Sequence, residues 1–120
     1  MTGRIVLIED DPDIAALMEE MLRDSGHQVV VRERLDPGAG DDETRVVITD
    51  LVALRSYDTG VAREWIARVR ARFPRAKILV STAHPPAAAS GPEALGADAV
   101  LAKPFDLADF IRIVESLLGR

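Results

Sequence analysis

The chain has 120 residues, of which 48% are hydrophobic and 29% are charged, and its formal net charge is −5. A chain of this length and composition is typical of one globular domain, because it can bury a real core but is too short for two. The negative charge without a basic tract argues against direct binding of nucleic acid. The absence of cysteine excludes disulfides, thiolate metal sites and cysteine nucleophiles.

No apolar stretch approaches the roughly 20 residues that a membrane-spanning helix needs. The N-terminal sequence Met-Thr-Gly-Arg does not resemble a signal peptide. We therefore expect a cytoplasmic protein without a membrane contact.

The first part of the chain predicts a strand, a helix and a second strand. Residues 4–8 form a β-branched apolar run, which is typical of a strand covered on both faces. Asp11 followed by Pro12 favours a helix start, since the acid can cap the helix and proline fits its first position. Apolar residues then recur at helical spacing as far as Ser25-Gly26. Residues 28–31 predict the second strand.

The segment 32–45 shows no clear pattern. Its central residues, 36–42, consist of Asp, Pro, Gly and Ala and cannot support a long helix. A crossover must still lie here if the next strand is parallel to its neighbours. We expect a short, irregular helix or a loop.

The rest of the chain alternates strands and helices. The predicted strands are residues 46–49, 77–81 and 99–101. Three helices are also predicted. The first follows the loop at residues 57–60, the second covers residues 85–95, and the third begins after Asp106. The first of these ends at Pro74, and the second is irregular because it contains Pro85, Pro86, Gly91 and Pro92. This alternation predicts a parallel sheet with right-handed crossovers.

Polar side chains follow four of the predicted strands at the points where they end. They are Glu9, Asp10 and Asp11 after the first strand, Asp50 after the third, Thr82 after the fourth and Lys103 after the fifth. The carboxyl ends of parallel strands share one edge, where open α/β sheets bind their ligands. Carboxylates, a hydroxyl and an ammonium group at one edge suit a divalent cation and a phosphoryl group.

Four segments together resemble the receiver domain of two-component response regulators. They are residues 4–13, 46–50, 80–83 and 103–105, which read Arg-Ile-Val-Leu-Ile-Glu-Asp-Asp-Pro-Asp, Val-Val-Ile-Thr-Asp, Val-Ser-Thr-Ala and Lys-Pro-Phe. Each segment is a weak signal alone, but the four occur in the right order over essentially the whole chain. The resemblance implies one receiver domain over residues 1–120. It implies a flavodoxin-like α/β fold with a doubly wound, five-stranded parallel sheet of order 2-1-3-4-5.

The resemblance also implies a magnesium site. Position by position, it assigns Glu9, Asp10, Asp50 and the backbone carbonyl of Val52 to Mg²⁺, with Asp10 favoured over Glu9 as the direct ligand. Clustered carboxylates repel one another, so a cation would relieve the strain of such a site. Asp11 lies outside the acidic pair, and we assign it to helix capping.

The function implied is acceptance of a phosphoryl group by Asp50. Phosphoryl transfer needs positioning and charge neutralisation more than covalent help, and the resemblance gives these roles to Mg²⁺, Thr82 and Lys103, a lysine that precedes a cis proline. The expected partners are a histidine kinase or histidine phosphotransfer protein and a downstream protein target. The chain would be regulatory and not an enzyme, assisting only its own phosphorylation and dephosphorylation. It would be either a stand-alone regulator or a receiver cut from a longer chain.

Three departures from the family pattern bear on signalling more than on phosphorylation. Leu54 stands where the family usually has proline, and Val100 stands where it has a switch aromatic. The second crossover is loop-like and slightly short. We expect the partner surface on residues 85–95, Val100 and the last helix.

Other functions are open to the same sequence. The chain could be a degenerate receiver that binds partners without phosphorylation. It could be an enzyme acting on a small phosphorylated substrate, although it lacks a general base and a glycine-rich phosphate loop. A flavin-binding relative is disfavoured because the first loop is acidic where a phosphate would sit.

Simpler roles also exist for single residues. Taken alone, the acids would be caps, Thr82 a strand end and Lys103 a solvated loop residue. Their joint occurrence at one sheet edge favours the phosphoryl site. His27 and His84 are expected at the surface or in loops, and Trp65 and Phe73 in the core. The arginines of residues 63–75 are expected to solvate a helix.

Overall fold

The computed structural model describes residues 4–35, 38, 40–51 and 58–119. In chain order the elements are β1 (Arg4–Ile8), α1 (Pro12–Asp24), β2 (Gln28–Arg32), β3 (Thr44–Thr49), α2 (Thr59–Arg72), β4 (Lys77–Thr82), α3 (Pro85–Leu95), β5 (Ala99–Ala102) and α4 (Leu107–Leu117). None of these helices is long and apolar enough to cross a bilayer within the described part of the chain.

The five strands form one parallel sheet in the order β2-β1-β3-β4-β5, which confirms the predicted order. Successive residues of a strand point to opposite faces, so β1 contributes to two separate cores. Val6 and Ile8 belong to the core under α2 and α3, whereas Ile5 and Leu7 belong to the core under α1 and α4. Burial on both faces explains why β1, β3 and β4 are nearly continuous apolar runs.

The predicted helix caps are present. The Asp11 carboxylate accepts hydrogen bonds from the backbone N–H groups of Asp13 at 2.9 Å and Ile14 at 3.2 Å, with Pro12 in the first turn of α1. Asp106 caps α4 in the same way. These bonds satisfy N–H groups that have no partner inside the helix.

Helix α3 is irregular, as predicted. Gly91 has φ 79° and ψ 168°, so the backbone leaves the helical conformation there, and Pro92 follows directly. Glycine is the residue that adopts this conformation without a steric penalty. The helix is therefore two short pieces on either side of Gly91.

The described residues between β2 and β3 form no helix. The crossover passes instead over the C-terminal end of α2, where the N–H of Asp41 donates to the carbonyl oxygen of Arg72 at 3.0 Å. A Cβ on Gly40, whose φ is 148°, would overlap that same carbonyl. Strand β3 begins two residues earlier than predicted, because Thr44 pairs with Arg4 of β1.

His27 lies in the loop between α1 and β2, which is one of the two predicted places, and it is buried there. Its Nε2 lies 2.9 Å from Oε1 of Glu115, because the residues that follow α1 pack against α4, which carries Glu115.

The arginines of α2 are also more than a solvated face. Arg63 donates to the carbonyl oxygen of Ala94 at 2.7 Å, and Arg70 donates to the carbonyl oxygen of Gly96 and to the Asp98 carboxylate. Two of these side chains thus tie α2 to the C-terminal end of α3 and to the residues before β5. Of the predicted core aromatic residues, Phe73 is fully buried and Trp65 is partly buried.

Candidate functional site

The ends of β1 and β3 place two acidic residues next to each other. The strands pair in register, Ile8 with Thr49, so Glu9 and Asp50 follow at the same level of the sheet edge. The N–H of Asp50 still donates to the carbonyl oxygen of Ile8, at 3.2 Å. One carboxylate oxygen each of Glu9, Asp10 and Asp50 lies within 4.8 Å of the others.

The Glu9 carboxylate is buried, with 2% of its surface exposed, and it has several donors. Its Oε1 accepts from Nζ of Lys103 at 2.6 Å, and its Oε2 accepts from the N–H of Asp11 at 3.3 Å. Burial acts to raise the pKa of Glu9, but hydrogen bonds with Asp50 and Lys103, and the charge of the ammonium, outweigh it and lower the pKa. Of the two neighbouring acids Glu9 and Asp50, Glu9 is therefore the one that is ionised.

Asp50 is 8% exposed and behaves oppositely. Burial, together with a hydrogen bond to Glu9 and the negative charge of that carboxylate, raises the pKa of Asp50 from 3.8 to about 8. The N–H of Asp10, which donates to Oδ2 of Asp50 at 3.4 Å, and the charge of Lys103 only partly oppose this. Burial and the neighbouring carboxylate thus favour the protonated form of Asp50 when no cation is bound.

The three carboxylates suit a hard divalent cation. Oxygen ligands are those that Mg²⁺ prefers, and it typically needs one or two carboxylates from the protein. A cation would also compensate the repulsion that raises the pKa of Asp50. Both the donor set and the electrostatics of Glu9, Asp10 and Asp50 therefore fit Mg²⁺.

Thr82 and Lys103 come from the ends of β4 and β5. The backbone N–H of Lys103 donates to the carbonyl oxygen of Thr82 at 2.8 Å, and the Lys103–Pro104 peptide bond is cis. The buried Thr82 hydroxyl oxygen accepts from the N–H of His84 at 3.0 Å, a contact that leaves the hydroxyl hydrogen available to an acceptor. His84 itself is half-buried and precedes α3.

The structure thus brings together Glu9, Asp10, Asp50 and Lys103, and it places Thr82 at the end of the neighbouring strand. Asp11 is a helix cap, as predicted. Val52, predicted as a metal ligand through its carbonyl, and Leu54 lie outside the described residues. Val100 is half-buried against the core under α2 and α3.

The surroundings of Asp50 include contacts that were not predicted from the sequence. The indole Nε1 of Trp65 donates to Oγ1 of Thr49, the residue before Asp50, at 2.9 Å. Trp65 and Arg68 also border a cleft of about 310 Å³ that reaches Asp10 and Asp50. The threonine that precedes Asp50 is the one sign of this contact in the sequence. Nothing in the sequence indicates that Trp65 of α2 packs against that threonine.

No protein-family model matches the sequence. A solved response regulator from Thermotoga maritima matches with a TM-score of 0.77 and 15% identity, over 100% of both chains. A response regulator receiver protein from Burkholderia phymatum matches with a TM-score of 0.71 and 25% identity, over 98% of this chain and 96% of that one.

The response regulator protein TrrA from Thermotoga maritima, solved in complex with Mg²⁺ and BeF, is also similar. The TM-score is 0.72 and the identity 24%, over 97% of this chain and 99% of that one. These matches confirm the predicted resemblance: the chain has the fold of response regulator receivers.

Proposed function

We propose that this chain, which has the receiver fold, is the phosphoacceptor of a two-component signalling system. Asp50 takes a phosphoryl group from a histidine kinase or a histidine phosphotransfer protein in a reaction that needs Mg²⁺. The phosphorylated protein then changes its preference for a downstream protein. The observation that carries the proposal is the convergence of Glu9, Asp10, Asp50 and Lys103 at the carboxyl edge of the sheet.

The reaction transfers one phosphoryl group between two side chains. A carboxylate oxygen of Asp50 attacks the phosphorus of the phosphohistidine, and the phosphorus–nitrogen bond breaks. The imidazole leaves with the electron pair of that bond and takes up a proton. The product is an acyl phosphate on Asp50, so Asp50 must lose its own proton before it attacks.

Glu9, Asp10 and Asp50 would hold the Mg²⁺, and the resemblance adds the carbonyl of Val52. Bound Mg²⁺ neutralises negative charge on the carboxylates and the phosphoryl oxygens. The chain's own acidic cluster supports this proposal, as does the similar TrrA structure, which contains Mg²⁺ and BeF.

Lys103 and Thr82 would stabilise the transferring group. An ammonium group has three donor hydrogens, so Lys103 can keep its bond to Glu9 and still donate to a phosphoryl oxygen. The Thr82 hydroxyl can donate its hydrogen to another such oxygen. Preorganised donors of this kind lower the barrier because they need no rearrangement during the reaction.

Mass spectrometry after incubation with acetyl phosphate and Mg²⁺ tests the proposal. We expect a gain of one phosphoryl group in the wild type and none in Asp50→Asn. Asp42→Asn, which changes an exposed carboxylate, is the matched control and should gain the group as the wild type does. A wild type that gains nothing, or an Asp50→Asn variant that still gains it, would contradict the proposal.

A further inference from the structure

A hydrogen-bonded relay connects α2 to the backbone of Asp50. The indole N–H of Trp65 donates to Oγ1 of Thr49 at 2.9 Å, and Oγ1 of Thr49 donates to the carbonyl oxygen of Asp50 at 3.0 Å. From these contacts we propose that Thr49 and Trp65 are positioning residues for the Asp50 nucleophile. The proposal rests on the proposed function, since positioning matters only if Asp50 accepts a phosphoryl group.

The chemistry of the three groups fixes the direction of the relay. An indole N–H can only donate, so Thr49 must accept from Trp65 through a lone pair of its hydroxyl oxygen. The single hydroxyl hydrogen of Thr49 is then directed to the carbonyl of Asp50. Thr49 is completely buried, so water does not compete for either bond.

Trp65 is itself held in place. Its ring packs against the core under α2 and α3, and the guanidinium carbon of Arg68 lies 5.5 Å from the ring centroid. A cation over an indole face is an attractive contact. The relay is therefore anchored on a helix on one side and on a central strand on the other.

The relay restrains the backbone of Asp50 from a second direction. The N–H of Asp50 is held by the carbonyl oxygen of Ile8, and the relay holds the carbonyl of Asp50. Together they fix both peptide units beside the Asp50 Cα, and so the direction in which the carboxylate leaves the chain. An error of about 1 Å in such a position can slow a reaction by about 100-fold. We expect the loss of one of these two restraints to slow phosphorylation by about tenfold.

The test compares Thr49→Val, Trp65→Phe and the double variant with the wild type. Valine keeps the shape of threonine without its hydroxyl, and phenylalanine keeps an aromatic ring without the N–H donor. Thr44→Val is the matched control, because it removes a fully buried hydroxyl at the other end of β3. Each protein is measured for its phosphorylation rate with acetyl phosphate, its Mg²⁺ affinity and its thermal unfolding.

We expect each single variant to be phosphorylated about tenfold more slowly at saturating Mg²⁺. The double variant should be no slower than the singles, because one relay is broken in all three. Mg²⁺ affinity should fall less than the rate, because Glu9 and Asp10 would also hold the ion, and Thr44→Val should keep the wild-type rate. The split between rate and Mg²⁺ affinity separates positioning from a general loss of structure.

Two results would overturn the positioning role alone. One is a Thr49→Val variant that is phosphorylated at the wild-type rate. The other is an equal slowing in Thr44→Val, which would assign the effect to stability. A wild type that accepts no phosphoryl group would overturn the proposed function and this role with it, so the two failures are distinguishable.

Discussion

Nζ of Lys103 lies 2.6 Å from Oε1 of Glu9, although the two residues are 94 positions apart in the sequence. The ammonium group of Lys103 thus forms an ion pair with Glu9. Its charge also acts to lower the pKa of Asp50, but burial and the neighbouring Glu9 carboxylate outweigh it. This arrangement explains why the pKa of Glu9 falls and that of Asp50 rises.

We expect Mg²⁺ to bind more tightly as the pH rises towards 8. The raised pKa of Asp50, about 8, means that Mg²⁺ must displace a proton at lower pH. The affinity should therefore increase by about tenfold per pH unit between about pH 6 and 8 and level off above that. The fluorescence of Trp65, the only tryptophan in the sequence, can report the binding because its ring lines the cleft at Asp10 and Asp50.

Asp50→Asn is the control for this titration. It should bind Mg²⁺ more weakly, with little dependence on pH in the same range, because the titrating carboxyl group is gone. An affinity of the wild type that does not change between pH 6 and 8 would contradict the assignment of the proton to Asp50.

Without Mg²⁺, we expect Asp50→Asn to be more stable than the wild type in alkaline solution. The pKa of Asp50 is raised from 3.8 to about 8, so between these values the folded chain binds more protons than the unfolded chain. The free energy of unfolding should therefore fall as the pH rises through this range. The opposite shift of Glu9 acts only below about pH 4.5, where it favours the unfolded chain as the pH falls.

Urea unfolding at several pH values, with a chelator, measures this effect. Asp50→Asn should exceed the wild type by several kcal/mol at pH 9 and show a flatter profile. Asp42→Asn should follow the wild-type curve, because that carboxylate is exposed. A profile that falls equally in Asp50→Asn would assign the pH dependence to another group.

Removal of the Lys103 ammonium should destabilise the metal-free protein. Lys103→Met leaves the buried carboxylate of Glu9 without its cation, and we expect a loss of about 3 kcal/mol at neutral pH. The double variant Glu9→Gln, Lys103→Met should recover most of the lost free energy of unfolding, because no buried carboxylate is then left unpaired. Lys77→Met, which changes an exposed lysine at the start of β4, is the control and should cost little. A double variant as unstable as Lys103→Met would show that the ion pair is not the cause.

Gly40→Ala should destabilise the contact between the segment that joins β2 to β3 and the C-terminal end of α2. The new methyl group would overlap the carbonyl oxygen of Arg72, so the backbone must shift. We expect a loss of about 2 kcal/mol in urea unfolding. Gly38→Ala is matched to it, because Gly38 also has a positive φ but has nothing within 4 Å of a Cβ. Equal losses in the two variants would mean that backbone conformation alone, and not the close approach, determines the cost.

The sheet and the acidic cluster were predictable because each depends on local signals. The β-branched runs of β1 and β3 lie between clear helix starts and ends, and a parallel sheet brings their carboxyl ends to one edge. The caps at Asp11 and Asp106 follow from the residue types alone. The roles of the site residues in metal binding and phosphoryl transfer stay predictions, namely those of Glu9, Asp10, Asp50, Thr82, Lys103 and the Val52 carbonyl.

The remaining features depend on partners that are distant in the sequence. The burial of His27 in its loop could not be predicted, because its carboxylate partner, Glu115, is 88 positions away. The contact of Trp65 with Thr49 depends on the rotation of α2 over the sheet, which periodicity does not specify. The course of the second crossover depends on the close approach of Gly40 to Arg72.

The break at Gly91 gives the two pieces of α3 different attachments. The first piece begins next to His84, whose backbone N–H donates a hydrogen bond to the Thr82 hydroxyl oxygen. At the end of the second piece, Arg63 and Arg70 of α2 donate hydrogen bonds to backbone carbonyl oxygens. The first piece of α3 is thus linked to the end of β4, whereas the second is linked to α2.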